Sequence, residues 1–124
     1  MKKYYENEHG FIVNDDCLNM MRELDADSID LTVTSPPYDN LRNYRGYVFN
    51  FEGVARELFR VTKDGGIVVW VVGDATINGS ETGTSFRQAL CFIDCGFKLH
   101  DTMIYEKNSS AFPASPLIER FSTS

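Results

Sequence analysis

The chain has 124 residues, of which 43% are hydrophobic, and its formal net charge is −6 at pH 7. This length and apolar fraction suffice for the core of one domain. The negative charge does not favour binding to a phosphate-rich polyanion, because contacts with phosphate groups require lysine and arginine side chains. The longest apolar run, residues 67–72, is too short to cross a membrane, and the first residues lack the apolar segment of a signal peptide. We therefore expect one cytoplasmic domain and no membrane partner.

The cysteines do not indicate a disulfide framework or a metal site. There are three of them, Cys17, Cys91 and Cys95, with no C-x-x-C pair. Cys91 and Cys95 lie four residues apart in a predicted helix, so we interpret them as small buried apolar residues. No metal ligands are predicted.

The first half of the chain alternates between strands and helices, which indicates a mostly parallel sheet with crossover helices. A short strand at residues 10–13 precedes a helix over residues 17–24, and Asn14-Asp15-Asp16 supplies the helix N-cap. The β-branched run at residues 29–34 predicts the next strand. Residues 39–50 show no clear period and predict a loop.

The second half continues the alternation. A helix is predicted over residues 51–61, because apolar residues recur at helical spacing, and the turn Asp64-Gly65-Gly66 is expected to end it. Residues 67–72 predict a strand buried on both faces, and residues 73–83 a long loop. Thr84 is expected to cap a helix that runs to Cys95, and residues 98–107 are predicted as the last strand. Residues 109–124 have loop composition, or form the start of a truncated block.

The most informative segment is Thr34-Ser35-Pro36-Pro37-Tyr38, directly after the strand at residues 29–34. Neither proline has an N–H for a sheet ladder, so the strand must end in a rigid turn. In a parallel α/β sheet, ligands bind beyond the carboxyl ends of the strands. The segment therefore places a hydroxyl, two carbonyls and an aromatic ring at the expected site.

Three blocks in order resemble one family, the DNA amino-methyltransferases of the circularly permuted β type, which carry an (Asp/Asn/Ser)-Pro-Pro-(Tyr/Phe) signature. The first block is residues 14–31, the second is the signature itself, and the third is residues 57–66. The resemblance implies a Rossmann-like methyltransferase fold. It also implies transfer of a methyl group from S-adenosylmethionine to an exocyclic amine of a DNA base.

The resemblance assigns roles to individual residues. Ser35, Pro36, Pro37 and Tyr38 match the catalytic signature, in which acceptors grip the target amine and the aromatic ring stacks on the base. Asp16 matches the acid that holds the adenosine of the cofactor. Ser at the first signature position favours cytosine N4 over adenine N6.

Each of these residues also has a purely structural interpretation. Ser35 could cap the proline turn, Tyr38 could be a packed loop aromatic, and Asp16 could be a plain helix cap. Arg42 and Arg45, interleaved with tyrosines, suit a loop that faces DNA, although solvated arginines are nearly as compatible with the pattern.

The chain also departs from the family pattern. Members cradle the methionine part of the cofactor with a Phe-x-Gly-x-Gly loop, and this sequence contains no such glycine cluster. The resemblance therefore covers the N-terminal half of a permuted enzyme, and an incomplete sheet is expected. We expect such a chain to pair with another copy of itself or with a complementing second half. Two alternatives stay open: a truncated or split half that binds DNA or a partner without activity, and a methyltransferase acting on RNA or a protein amide.

Overall fold

The computed structural model describes residues 1–37, 49–106 and 117–124. Three helices lie in these ranges: α1 (Cys17–Arg22), α2 (Phe51–Val61) and α3 (Thr84–Cys95). The strands in the same ranges are β1 (Tyr5–Asn7), β2 (Gly10–Ile12), β3 (Ile29–Thr34), β4 (Thr62–Val72), β5 (Thr76–Ile77), β6 (Ser80–Glu81), β7 (Lys98–Ile104) and β8 (Leu117–Ser122). The alternating α/β organisation is confirmed. None of the helices in the described ranges is long and apolar enough to span a membrane.

The main sheet has four strands in the order β3-β4-β8-β7. β3 pairs parallel with β4, whereas β8 pairs antiparallel with both β4 and β7. The sheet is therefore mixed rather than mostly parallel, because β8 lies between β4 and β7 and runs in the opposite direction to both.

Helices α1 and α2 begin at polar cap residues and bury apolar residues on one side. Asp16 caps α1, and the side chain of Asn50 accepts a hydrogen bond from the Gly53 amide at the start of α2. The predicted apolar face of α2 is buried, with Val54 and Leu58 at its centre. These elements match the sequence prediction closely.

Two expectations about helix ends need correction. α2 ends at Val61 and passes directly into β4, so Gly65 and Gly66 lie inside the strand rather than in a helix-ending turn. A Cβ at Gly66 would lie 2.5 Å from Thr62 Cγ2, which explains why a glycine is needed there. At α3 the N-cap is Gly83, with φ of 71° and no side-chain cap, and Thr84 is the first helical residue.

Three further expectations about strands were wrong. β2, within residues 10–13, pairs with β1 in a separate antiparallel hairpin instead of joining the main sheet. β5 and β6 form a second small hairpin inside the predicted loop at residues 73–83. β8 is an internal strand of the sheet, so residues 117–122 are not a loop. The alternative, the start of a truncated block, stays a prediction, and residues 109–116 lie outside the described residues.

All three helices cover one face of the sheet. The core on this face contains side chains of α1, α2 and α3 packed against β4 and β8: Met21, Val54, Ala55, Leu58, Ala89, Phe92, Val68, Trp70, Val72 and Phe121. The opposite face we call the open face. On it Leu31 and Val33 of the edge strand β3 are 58% and 64% exposed.

Candidate active site

Ser35-Pro36-Pro37, which we call the Ser-Pro-Pro turn, directly follow the carboxyl end of β3, and β3 ends where the sequence predicted. Ser35 is exposed, Pro36 is buried and Pro37 is half-buried. Because β3 and β4 are parallel and Thr34 pairs with Trp70, both strands end at the same edge of the sheet. This edge is where ligands bind in open α/β sheets.

A pocket of about 530 Å³ opens beside this turn. It lies between α1, β3 and α2, and it is mostly apolar. Its lining comes from α1 and the residues before it, from β3 and the turn, from α2, and from two aromatic residues: Asp15, Asp16, Cys17, Met20, Met21, Leu24, Ile29, Thr32, Thr34, Ser35, Pro36, Pro37, Val54, Leu58, Val61, Phe49 and Trp70. The structure thus brings Asp16 and Ser35-Pro36-Pro37 to one cavity.

Asp16 has a clear structural role. Its Oδ1 accepts hydrogen bonds from the amides of Leu18 at 2.9 Å and Asn19 at 3.4 Å, so it caps α1. A carboxylate is favourable at a helix N-terminus, because the helix dipole is positive there. Asp16 also lines the pocket, so the capping and binding interpretations are compatible.

Cys17 follows Asp16 at the pocket wall. Burial raises the pKa of the Cys17 thiol above 9.0, and the neighbouring Asp16 carboxylate raises it further. The thiol is therefore protonated at neutral pH and is not an activated nucleophile.

An aromatic wall closes one side of the pocket, and sequence reasoning missed it. Trp70 stacks on Phe49 with ring centroids 6.4 Å apart and an interplanar angle of 26°. The Trp70 Nε1–H donates to Gln88 Oε1 at 3.0 Å, which fixes the indole ring. The sequence carries no signal for this, because residues 67–72 are all apolar, and the burial of Val68, Trp70 and Val72 on the helix-covered face is seen only in the structure.

Asp74, which follows β4, contacts the start of α3 through its carboxylate. Asp74 accepts hydrogen bonds from the Ser85 amide at 2.7 Å and from Ser85 Oγ at 2.6 Å. The carboxylate thus supplies the cap that Gly83 lacks. Nearby, burial and the charge of Asp74 raise the pKa of Glu119 from 4.5 to about 7.

Three of the predicted site residues, Tyr38, Arg42 and Arg45, lie outside the described residues. Their proposed contacts with the target base and with DNA phosphates stay predictions.

The mixed α/β sheet, with a Ser-Pro-Pro turn beside a pocket at its carboxyl edge, defines a Rossmann-like methyltransferase unit. Solved structures support this class. The PvuII DNA methyltransferase, described as cytosine-N4-specific, matches with a TM-score of 0.71 and 21% identity over 89% of this chain and 48% of that chain. TTHA0409 of Thermus thermophilus, in complex with S-adenosyl-L-methionine, matches with a TM-score of 0.66 and 24% identity over 86% of this chain and 50% of that chain.

The sequence comparisons give the family. The DNA methylase family model matches residues 29–121, so the chain belongs to the DNA methylase family. It is 74% identical over 86 residues to the orphan methyltransferase M.BamHII of Bacillus amyloliquefaciens, a match that covers 69% of this chain and 32% of that protein. It is 31% identical to the type II methyltransferase M.MthZI of Methanothermobacter thermautotrophicus, over 73% of this chain and 34% of that protein. The chain spans about a third of these relatives.

Proposed function

We propose that this chain carries the target-base half of the active site of a DNA amino-methyltransferase. The reaction would transfer a methyl group from S-adenosylmethionine to an exocyclic amine of a DNA base. The observation that supports this most directly is the shared pocket, because Asp16 and the Ser35-Pro36-Pro37 turn line the same cavity. The cavity volume lies within the range typical of small-molecule sites.

The pocket residues fit the adenosine part of the cofactor. Apolar walls from Met20 and Leu58 suit an adenine ring, and the Asp15-Asp16 pair at the pocket edge offers acceptors for hydroxyl or amino groups. The sequence has no glycine loop for the methionine part. When bound, the cofactor supplies an electrophilic methyl group on a positively charged sulfur.

The Ser-Pro-Pro turn suits the chemistry of the acceptor amine. An exocyclic amine of cytosine or adenine is a poor nucleophile, because its lone pair is delocalised into the ring. We propose that Ser35 Oγ and the Pro36 carbonyl accept hydrogen bonds from its two hydrogens. These acceptors would stabilise the positive charge that develops on nitrogen as the new N–C bond forms and the S–C bond breaks. The proton then passes to solvent, since the methylated nitrogen is acidic.

The target base must leave the duplex before it can reach this turn. Unstacking costs a few kcal/mol. Stacking on an aromatic side chain recovers roughly 1–3 kcal/mol per base, and we propose Tyr38 for this role. Arg42 and Arg45 would contact phosphates on the same side.

The nature of the first signature residue leads us to favour cytosine N4 over adenine N6. This preference rests on the serine at position 35, where other members of the resembled family have aspartate or asparagine.

We further propose that activity requires a complementing polypeptide segment. It would supply the glycine loop, and its apolar helices would cover the open face of the sheet. Two observations support this: Leu31 and Val33 are more than half exposed on that face, and β3 is an edge strand. An exposed edge strand readily recruits another strand.

Three preparations test the proposal: the chain alone, the chain mixed with M.BamHII lacking the corresponding segment, and a chimeric M.BamHII in which this chain replaces that segment. Each is incubated with plasmid DNA and S-adenosylmethionine, and the DNA is digested to nucleosides for mass spectrometry. Intact M.BamHII is the positive control. We expect no product from the chain alone, and N4-methylcytosine from the chimera and the mixture.

The outcomes separate the two parts of the proposal. An inactive, folded chimera would contradict the assignment of the active-site half. An active chimera with an inactive mixture would contradict complementation by a separate chain. N6-methyladenine as the product would overturn the cytosine preference.

A further inference from the structure

Helix α3 carries an apolar stripe that faces away from the core. Phe86, Leu90 and Ile93 are 60%, 61% and 43% exposed. They follow one another at i, i+4 and i+7, so they lie along one side of the helix. Single exposed apolar residues are common, whereas a contiguous apolar stripe is a candidate interaction surface.

The proposed methyltransferase site does not account for this stripe. The pocket lies between α1, β3 and α2, and α3 contributes no residue to its lining. The open face of the sheet lies on the side opposite the helices, so a segment that covers it would not cover the outer side of α3 either. The stripe is therefore an exposed surface separate from both the pocket and the open face.

Two charged residues flank the stripe on one side. Arg87 precedes Leu90 by three positions and Asp94 follows it by four. Among the ion pairs of the described ranges, neither residue takes part, and Arg87 donates to Thr84 Oγ1 of its own helix, at 3.4 Å. Both charges oppose the helix dipole, which favours acids near the N-terminus and bases near the C-terminus.

We infer that the stripe binds the same stripe of a second copy, with the two α3 helices antiparallel and crossing near Leu90. A two-fold axis at Leu90 brings Phe86 of one copy against Ile93 of the other. It also places Arg87 of each copy opposite Asp94 of the other, so that two ion pairs form. The helix is thus complementary to itself in both apolar residues and charge.

The size of the surface predicts a weak dimer. Twelve residues make a helix about 18 Å long, which buries less than the roughly 800 Å² per partner of a standard interface. The charge pairs fix the antiparallel orientation more than they add affinity. We therefore expect the dimer to dissociate in the micromolar range.

Sedimentation velocity of the whole chain from about 5 to 200 µM tests the inference. The charge reversals Arg87→Glu and Asp94→Arg should each weaken dimerisation at least tenfold, because each places like charges opposite one another twice. The double variant R87E/D94R should restore it to within about threefold of the wild type. Leu90→Glu should abolish it, and Val33→Glu, on the open face, is the matched control and should leave it unchanged.

Each single reversal agrees better with the helix dipole than the natural residue does, so we expect these variants to stay folded, as circular dichroism would show. Three results would each overturn the inference: a chain that is monomeric throughout this range, a double variant that does not recover, or a dimer that is lost in Val33→Glu and kept in Leu90→Glu. Because none of these readouts depends on methyl transfer, the inference can fail while the proposed function holds.

Discussion

Asp74 caps a helix that begins ten residues later in the chain. Its carboxylate accepts hydrogen bonds from the amide and the hydroxyl of Ser85, at 2.7 and 2.6 Å. Gly83, the residue at the N-cap position, has no side chain to do so. The end of β4 and the start of α3 are therefore tied together at the carboxyl edge of the sheet.

Removing this cap should destabilise the fold. We expect Asp74→Ala to lower the free energy of unfolding by about 1 kcal/mol, since loss of an N-cap typically costs this much. Urea denaturation followed by circular dichroism measures it. Asp64→Ala, which removes an exposed carboxylate from β4, is the control and should change stability by less than about 0.5 kcal/mol. Equal effects of the two substitutions would argue against the capping role.

Glu119 should make stability fall as the pH rises. Its pKa is raised from 4.5 to about 7 in the folded chain, by burial first and by Asp74 second. Below pH 4.5 the carboxyl is neutral in both states and carries no penalty. Between pH 4.5 and 7 the unfolded state loses the proton while the folded state keeps it, so the free energy of unfolding decreases, by on the order of 3 kcal/mol in total.

Glu119→Gln should remove this pH dependence and stabilise the chain at pH 8. Denaturant titrations at pH 5, 6, 7 and 8 measure the slope, and Glu81→Gln in the exposed β5–β6 hairpin is the control. A slope for Glu119→Gln that matches the wild type would show that another group is responsible.

Gly96 is needed where α3 ends. Its φ is 122°, and a Cβ there would lie 2.6 Å from Phe59 Cζ. We expect Gly96→Ala to cost more than about 1 kcal/mol of stability, because both backbone strain and the clash act against it. Gly10→Ala is a matched control, since no heavy atom would lie within 4 Å of its Cβ, and thermal denaturation should show the difference.

Much of the fold could be predicted from the spacing of apolar residues and from the polar, glycine and proline residues that interrupt it. The bounds of β3 and α2 coincide with the predicted ones, because a β-branched run and a helical apolar stripe are local signals. β8 was missed for a physical reason. Glu119 at its centre is only 3% exposed, and a pattern that treats glutamate as a surface residue gives no strand there.

The candidate site was predicted only in part. The Ser-Pro-Pro turn and Asp16 were found because they are consecutive sequence signals. Trp70 was not found, because its place in the pocket wall follows from its pairing with Thr34, a contact between two distant segments. Strand register of this kind depends on tertiary packing rather than on local pattern.

The chain alone should bind S-adenosylmethionine weakly or not at all. The glycine loop for the methionine part is missing from the sequence, so only the adenosine contacts remain. Isothermal titration calorimetry should show no saturable heat at cofactor concentrations near 1 mM, with intact M.BamHII as the control. A micromolar dissociation constant for the isolated chain would contradict this expectation.

The substitution Ser35→Ala in the M.BamHII chimera tests most directly whether the Ser35-Pro36-Pro37 turn acts on the target amine. The matched control is Ser28→Ala, just before the opposite end of β3, where the hydroxyl donates to the Asp25 carbonyl at 2.6 Å. Single-turnover methylation and DNA affinity are measured on the same preparations. We predict that Ser35→Ala slows methyl transfer roughly tenfold or more and leaves DNA affinity nearly unchanged, because the acceptor acts in the transition state. Equal losses in rate and affinity, or a rate equal to that of Ser28→Ala, would contradict the claim.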